Sequence, residues 1–361
     1  MKKVLITGAA GFVGGNLAHR LLQDGHELHL LVRPDSELWR LDDIRGHVRM
    51  HAIDIANCER VRSTIDRVRP DWVFHLAANG AYSWQTNPYE MIQTNIAGIV
   101  NLLESSARAG CESFVNTGSS SEYGLQDGAP SENEALAPNS YYAVTKAAAT
   151  HVCRYIAAKT GMRVTTLRLY SAYGPLEDPR RLVPTLILKA RQRQLPPLVN
   201  PSTARDYIYI ADVVSAYLAV VGANLKESGA IFNVGSGQQT TIAKIVEEVR
   251  SMFRLNVEPQ WGAMPDRIWD TSTWVCNNNK IRHEIGWAPT HSLKDGLKKF
   301  ADWLESEDRL ATYISKQNQP ENSTTMDGKE KADISSESSF APMQHVFPRL
   351  TEQERKDIIQ G

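Results

Sequence analysis

Short apolar runs alternate with stretches of helical periodicity through the first half of this chain. Val4–Thr7 is apolar at successive positions, as a strand buried on both faces requires. The same texture recurs at Glu27–Val32, Met50–Asp54, Trp72–Ala77, Ser113–Thr117 and Val164–Leu169, and later at Ile231–Val234. Between these runs apolar residues fall at helical spacing. Leu17, Ala18, Leu21 and Leu22 line one face of a helix over Val13–Asp24, and the longest such patterns cover Tyr89–Ala109 and Tyr141–Lys159. Strand and helix in alternation predict an α/β fold: a doubly wound parallel sheet with helices on both faces.

From Tyr173 onward prolines and turns become frequent, and the helical patterns shorten to Leu182–Arg193, Ile242–Phe253 and Leu293–Glu305. This predicts a larger domain over residues 1–172, with returning elements near 211–235. A smaller domain follows over 173–210 and 236–306, closing over the carboxyl ends of the strands, where such sheets bind ligands. Beyond 307 the chain is rich in Ser, Asn, Gln, Glu and Lys, which predicts a disordered tail. Leu350–Glu354 reads as the start of a short helix within it.

Composition removes several classes of function. Forty Lys and Arg against 41 Asp and Glu leave a formal charge of −1, which gives no electrostatic footprint for nucleic acid or an anionic membrane. No apolar run reaches membrane-spanning length. The four cysteines, Cys58, Cys111, Cys153 and Cys276, are widely spaced and read as reduced thiols rather than a disulfide frame or metal site. The apolar run after Lys2 and Lys3 is too short for a signal peptide, so a cytoplasmic protein is expected.

The chemistry lies in glycines and hydroxyls. Gly8, Gly11 and Gly14 follow the first strand and open the first helix. Gly8 permits a tight turn, Gly11 lets backbone approach a pyrophosphate, and Gly14 lets the helix pack on the strand. The helix N-terminus at Phe12 and Val13 offers N–H groups and a positive dipole end. The plain alternative is a strand-to-helix turn without a ligand. Downstream, Tyr142 and Lys146 lie one helical turn apart, after Ser119-Ser120-Ser121. An ammonium beside a tyrosine lowers its pKa toward that of a useful acid/base.

The GxxGxxG spacing, the serines and the YxxxK pair together resemble the extended short-chain dehydrogenase/reductase family, whose members mostly act on nucleotide sugars. The resemblance covers about residues 1–305. It implies a Rossmann-like sheet, a nicotinamide dinucleotide, and Ser119, Tyr142 and Lys146 as the catalytic set. It further implies cofactor contacts at Gly8, Gly11, Phe12, Val13, Gly14, Asp54, Ile55, Leu76, Ala77, Ala78 and Asn95, besides Tyr142 and Lys146. His75 reads as structural. Where NAD-preferring members carry an acid after the second strand, this chain has Val32 followed by Arg33, a residue suited to a 2′-phosphate; NADP is therefore expected before NAD. Ser83, Ser120, Ser171, Arg205 and Arg267 are the candidate substrate residues, with Arg205 the cation for a nucleotide diphosphate. The family's usual Asn is replaced by Ser171.

The resemblance narrows the reaction. Sugar-nucleotide dehydratases follow the active-site Ser/Thr with an acid pair, whereas Ser120 and Ser121 stand here. Dehydration is disfavoured, although a register shift of one residue would bring in Glu122. The expected activity is NADPH-dependent reduction of a nucleotide-linked 4-keto-6-deoxyhexose at C4. A 4-epimerase with tightly held NAD is the main alternative, followed by reduction of a non-sugar ketone and by a non-catalytic binding role. A homodimer is expected by family analogy.

Overall fold

The computed structural model describes residues 1–225, 227–264 and 271–318. Ten strands form: β1 (Lys3–Thr7), β2 (Glu27–Val32), β3 (Arg49–Ala52), β4 (Trp72–His75), β5 (Ser113–Ser119), β6 (Arg163–Leu169), β7 (Ser171–Tyr173), β8 (Ala204–Tyr209), β9 (Ala230–Val234) and β10 (Gln239–Thr241). Seven of them make one sheet in the order β3-β2-β1-β4-β5-β6-β9, every pairing parallel. The order reverses at β1, so a crevice opens beyond the carboxyl ends of β1 and β4, the place where doubly wound sheets take ligands.

Alternation within β1 shows how the apolar runs are used. Val4 and Ile6 belong to one core with Leu28, Leu30 and Phe74. Leu5 belongs to the other, with Leu31, Val73 and Phe114. Each face is covered by helices: α1 (Phe12–Gln23) supplies Leu17, Ala18 and Leu21 to the first core, while α2 (Cys58–Val68) supplies Val61 and Ile65 to the second. The expected helix over Tyr89–Ala109 is interrupted. It runs as α3 (Pro88–Ile92), a π-helical turn at Gln93–Ala97, and α4 (Gly98–Ala109). The interruption turns Asn95 inward, as described below. The long helix α5 (Tyr141–Thr160) begins at a Ser140 cap that accepts from Ala143 N–H.

The remaining helices are α6 (Leu182–Arg191), α7 (Ile210–Gly222), α8 (Ile242–Phe253), α9 (Asn279–Ile285), α10 (Leu293–Trp303) and α11 (Glu307–Gln317). A second, three-stranded sheet runs β10-β8-β7, with β8 antiparallel to β10 and parallel to β7. The sequence reading contains no such sheet, because β7 and β10 are each three residues long and too short to show a period.

Disorder is expected from 307, but the first residues there are helical. Glu307–Gln317 is α11, capped by Ser306, and Tyr313 on it is wholly buried. Its ring meets Trp39, Phe300 and Trp303 edge-on at 5.8, 6.1 and 5.7 Å. One buried aromatic in an otherwise polar stretch carries too little pattern to be read in advance. The short helix expected at Leu350–Glu354 lies outside the described residues. Removing this anchor is expected to cost about 3–5 kcal/mol, the usual range for truncating a buried aromatic. Urea unfolding of Tyr313→Ala checks it, and a change below about 1 kcal/mol would mean that α11 is not part of the cooperative fold.

Candidate active site

The glycine turn is built by close approach. Gly8 has φ +70, and a Cβ there would lie 2.5 Å from the Ala77 backbone nitrogen. At Gly14 a Cβ would lie 2.2 Å from the Gly8 carbonyl oxygen. Gly11 caps α1 without any side-chain bond, so the first N–H groups of the helix, at Phe12 and Val13, remain available to an acceptor. The turn is also clamped from outside: the Arg40 guanidinium donates to the carbonyls of Ala10 at 3.2 Å and Leu176 at 2.7 Å. A backbone cradle with no room for side chains fits a pyrophosphate.

The strand ends lining this turn lie where the sequence puts them. Leu76 N–H donates to the Thr7 carbonyl, and Ala77 N–H to the Thr7 hydroxyl at 3.3 Å. Ala78 is half-buried beside them. The Thr7 hydroxyl also meets His75 Nδ1 at 2.7 Å. Burial, helped by the Lys146 charge, lowers the His75 pKa to about 3, so the ring stays neutral and structural. Asp54 is exposed and its carboxylate closes a turn by accepting from Ala56 N–H, whereas Ile55 is buried. A Cβ on Gly98 would meet Ile55 Cδ1 at 2.7 Å, which explains a glycine at the start of α4. Arg33, past the end of β2, pairs with Asp35 at 3.4 Å, both about half exposed.

Ser119 and Tyr142 converge, and Lys146 follows one turn along α5 from Tyr142. Ser119 ends β5 and caps the helical turn Ser120–Tyr123, bonding to the Ser121 hydroxyl at 2.7 Å and to the Tyr142 side chain. Burial pushes the Tyr142 phenol above its ordinary value; the Ser119 bond opposes this, the Glu122 charge adds to it, and Arg181 opposes it. Lys146 is buried, and burial pulls its pKa down while Glu122 and Cys153 push it up. This differs from the sequence expectation of a phenol lowered by Lys146: here burial dominates, and the cation acting on Tyr142 is Arg181. Asn95 braces the set. From the π-helical turn it donates to the Asn79 carbonyl at 2.8 Å and the Thr145 hydroxyl at 2.9 Å, and it accepts from Asn79 N–H at 2.8 Å.

Glu122 is committed elsewhere. It is fully buried and pairs with the equally buried Arg168 at 2.9 Å. Its oxygens also accept from the Thr150 hydroxyl and the Ser119 N–H, each at 2.9 Å. A carboxylate so engaged anchors the strand end and is not placed to move a substrate proton.

On the substrate side the structure joins residues that sequence reading left apart. Trp274 Nε1–H donates to the Ser120 hydroxyl at 3.2 Å, and the Arg205 guanidinium lies 5.3 Å from the Trp274 ring. Trp274 carries no motif that would mark it in advance. Ser171 sits on β7 opposite Tyr207. Ser83 is exposed in a turn and makes no hydrogen bond among the described residues; its neighbours Tyr82 and Trp84 stack at 4.4 Å. Arg267 lies outside the described residues.

Breaking the Glu122–Arg168 pair leaves a buried guanidinium unpaired. Glu122→Gln is expected to lose about 3–5 kcal/mol of stability, measured by denaturant unfolding. A variant of native stability that lost only turnover would show instead that Glu122 serves the reaction.

Comparison with known proteins agrees with this architecture. The family model described as "NAD dependent epimerase/dehydratase family" matches residues 4–235. The trifunctional UDP-glucose 4,6-dehydratase/UDP-4-keto-6-deoxy-D-glucose 3,5-epimerase/UDP-4-keto-L-rhamnose-reductase of Arabidopsis thaliana is 27% identical over 315 residues, covering 84% of this chain. This chain spans about half, 47%, of that relative's length. UDP-glucuronate 4-epimerase 3 of the same plant is 31% identical, covering 83% of this chain and 76% of its own. Among solved structures, MoeE5 in complex with UDP-glucuronic acid and NAD superposes with a TM-score of 0.73 at 27% identity, covering 83% of this chain and 98% of that one. The glycine cradle, the parallel sheet and these matches together assign the chain to the NAD-dependent epimerase/dehydratase family, within the extended short-chain dehydrogenase/reductase group.

Proposed function

We propose that this chain interconverts the C4 epimers of a nucleotide-diphosphate hexose, using NAD that it retains between turnovers. The observation that carries this reading is the burial of Glu122 against Arg168. It removes the nearby carboxylate from the elimination of water, and leaves a site equipped for proton movement at one carbon-bound oxygen.

When bound in the glycine cradle, the dinucleotide supplies a hydride acceptor and donor. Tyr142 takes the C4 hydroxyl proton and later returns it to the C4 oxygen of the turned keto sugar. Ser119, already bonded to Tyr142, polarises the C4 oxygen and keeps the phenol aligned with it. Lys146 holds the cofactor ribose, and the Asn95–Thr145 bond keeps α5 in register with that task. Arg205, backed by Trp274, suits the substrate diphosphate.

NAD is preferred to NADP because Arg33 has an acid beside it. Asp35 at 3.4 Å offsets the charge that a 2′-phosphate would need. The MoeE5 structure holds NAD, in line with this preference. The second reading is NADPH-dependent reduction of a 4-keto sugar, favoured by Val32 standing where an acid would bind the ribose hydroxyls.

Acid denaturation of the purified protein is expected to release NAD, and the native protein to equilibrate C4-epimeric sugar nucleotides with no cofactor added. Tyr142→Phe is expected to slow this by at least about 10²-fold. An empty protein that consumes NADPH in proportion to product would replace the epimerase with the reductase.

We also propose a homodimer through the helices behind the site. Ile92 of α3, Val100 of α4 and Val144 and Tyr155 of α5 are exposed apolar residues on elements packed together. Sedimentation is expected to give twice the mass of one chain, and Val144→Glu with Tyr155→Glu a monomer; a monomeric native protein would dismiss this.

A further inference from the structure

Two segments distant in the chain meet behind the glycine turn, and Arg40 joins them. Its guanidinium donates to the Ala10 carbonyl at 3.2 Å, in the turn itself, and to the Leu176 carbonyl at 2.7 Å, in the stretch between β7 and α6. The start of α1 is held from the same stretch: the Asn16 side-chain amide donates to the Pro175 carbonyl at 2.9 Å. The contact at Ala10 matters because one planar peptide carries the Ala10 carbonyl and the Gly11 N–H. That N–H donates to the Gly8 carbonyl at 2.9 Å. With its carbonyl taken by Arg40 and its N–H by Gly8, this peptide is fixed from both sides. It directly precedes the Phe12 and Val13 N–H groups that the α1 cap leaves open.

α11 lies across both segments. On the β2 side, Lys316 pairs with Glu37 at 2.8 Å, and the Tyr313 ring meets Trp39 edge-on at 5.8 Å. On the α6 side, the Gln317 side-chain amide donates to the Pro179 carbonyl at 3.2 Å. The Arg40 guanidinium in turn lies 4.2 Å from the Trp39 ring. A continuous line of contact therefore runs from Tyr313 through Trp39 and Arg40 to Ala10. None of the family motifs falls on this helix.

We infer that α11 is a brace for the dinucleotide site, acting through Trp39 and Arg40 on the Ala10–Gly11 peptide, so that its docking slows release of the cofactor. Arg40 is the positioning residue at the end of this line, and it acts through the Ala10 carbonyl. A turn loses backbone freedom when a ligand settles on it. A turn that is already held loses less, and the difference appears as tighter binding. The inference rests on the glycine cradle holding a dinucleotide, and it is independent of which sugar reaction follows.

Release of the reduced dinucleotide tests this without turnover. Full-length protein loaded with NADH is mixed with excess NAD, and the loss of nicotinamide fluorescence gives the rate. Arg40→Met is expected to release NADH about tenfold faster, through loss of a charge-assisted hydrogen bond to the turn. Arg40→Lys, which keeps the charge without the fork, should fall between. Tyr313→Leu is expected to speed release about threefold or more, and to add nothing in the Arg40→Met background, since both lie on one line of contact. Should Tyr313→Leu not fold, Trp39→Leu takes its place in the same cycle. Native-like release from Arg40→Met overturns the inference, as do effects of the two substitutions that simply multiply. A native protein that purifies empty would sink the retained-NAD reading, while the ratios between variants still decide the brace.

Discussion

The buried Glu122–Arg168 pair is the contact on which the site depends. It joins the turn after β5 to β6, and through Thr150 it reaches α5, the helix that carries Tyr142 and Lys146. Its second oxygen accepts the Ser119 N–H, so the pair also fixes the residue that bonds Tyr142. Arg168 extends the network to the Tyr123 hydroxyl at 2.8 Å, and Tyr123 donates to Asn233 on β9 at 2.8 Å. Two opposite charges out of water are tolerable only when their remaining hydrogen-bonding positions are filled, and here they are filled by the elements whose relative position matters. Gly118 belongs to the same arrangement: a Cβ there would lie 2.7 Å from a Glu122 oxygen.

That frame also sets the electrostatics. Burial raises Tyr142 and lowers Lys146, so both groups are pushed toward their neutral forms. A neutral phenol is the form that gives a proton to a developing alkoxide, and a bond to Ser119 eases the return step. The buried Glu122 charge acts on both groups in the same direction, favouring proton retention on each. The site is thus balanced by groups on three elements.

The sequence made the large sheet legible because β1, β2, β4 and β9 are largely apolar, buried runs, and such runs need no partner to be recognised. The glycine turn was legible for a related reason: a positive φ at Gly8 and a backbone contact at Gly14 leave no other residue type suitable. What could not be read depends on contacts distant in the chain. Trp274 meets Ser120 across 154 positions, and Tyr313 meets Trp39 across a still longer span. Arg205 and Asp206 are adjacent opposite charges, a pattern that suits a surface ion pair. Asp206 is instead wholly buried, accepting from the N–H groups of Ser236, Gly237 and Cys276, and so it closes the turn after β9. A carboxylate that serves backbone N–H groups cannot be told from a surface one by its neighbours in sequence.

The same uncertainty about one carboxylate decides between reactions. Read as sequence, Glu122 stands close enough to Ser119 to be an acid for elimination. Read as structure, it is engaged on both oxygens, by Arg168 and Thr150 on one and by the Ser119 N–H on the other. Elimination needs a group that can gain and lose a proton as the substrate does. Taking Glu122 away from Arg168 would leave a buried guanidinium unpaired, at a cost of about 3–5 kcal/mol. On the proposed reading, chemistry at this site falls to the hydroxyls of Ser119 and Tyr142, and such chemistry acts at the carbon whose oxygen they share.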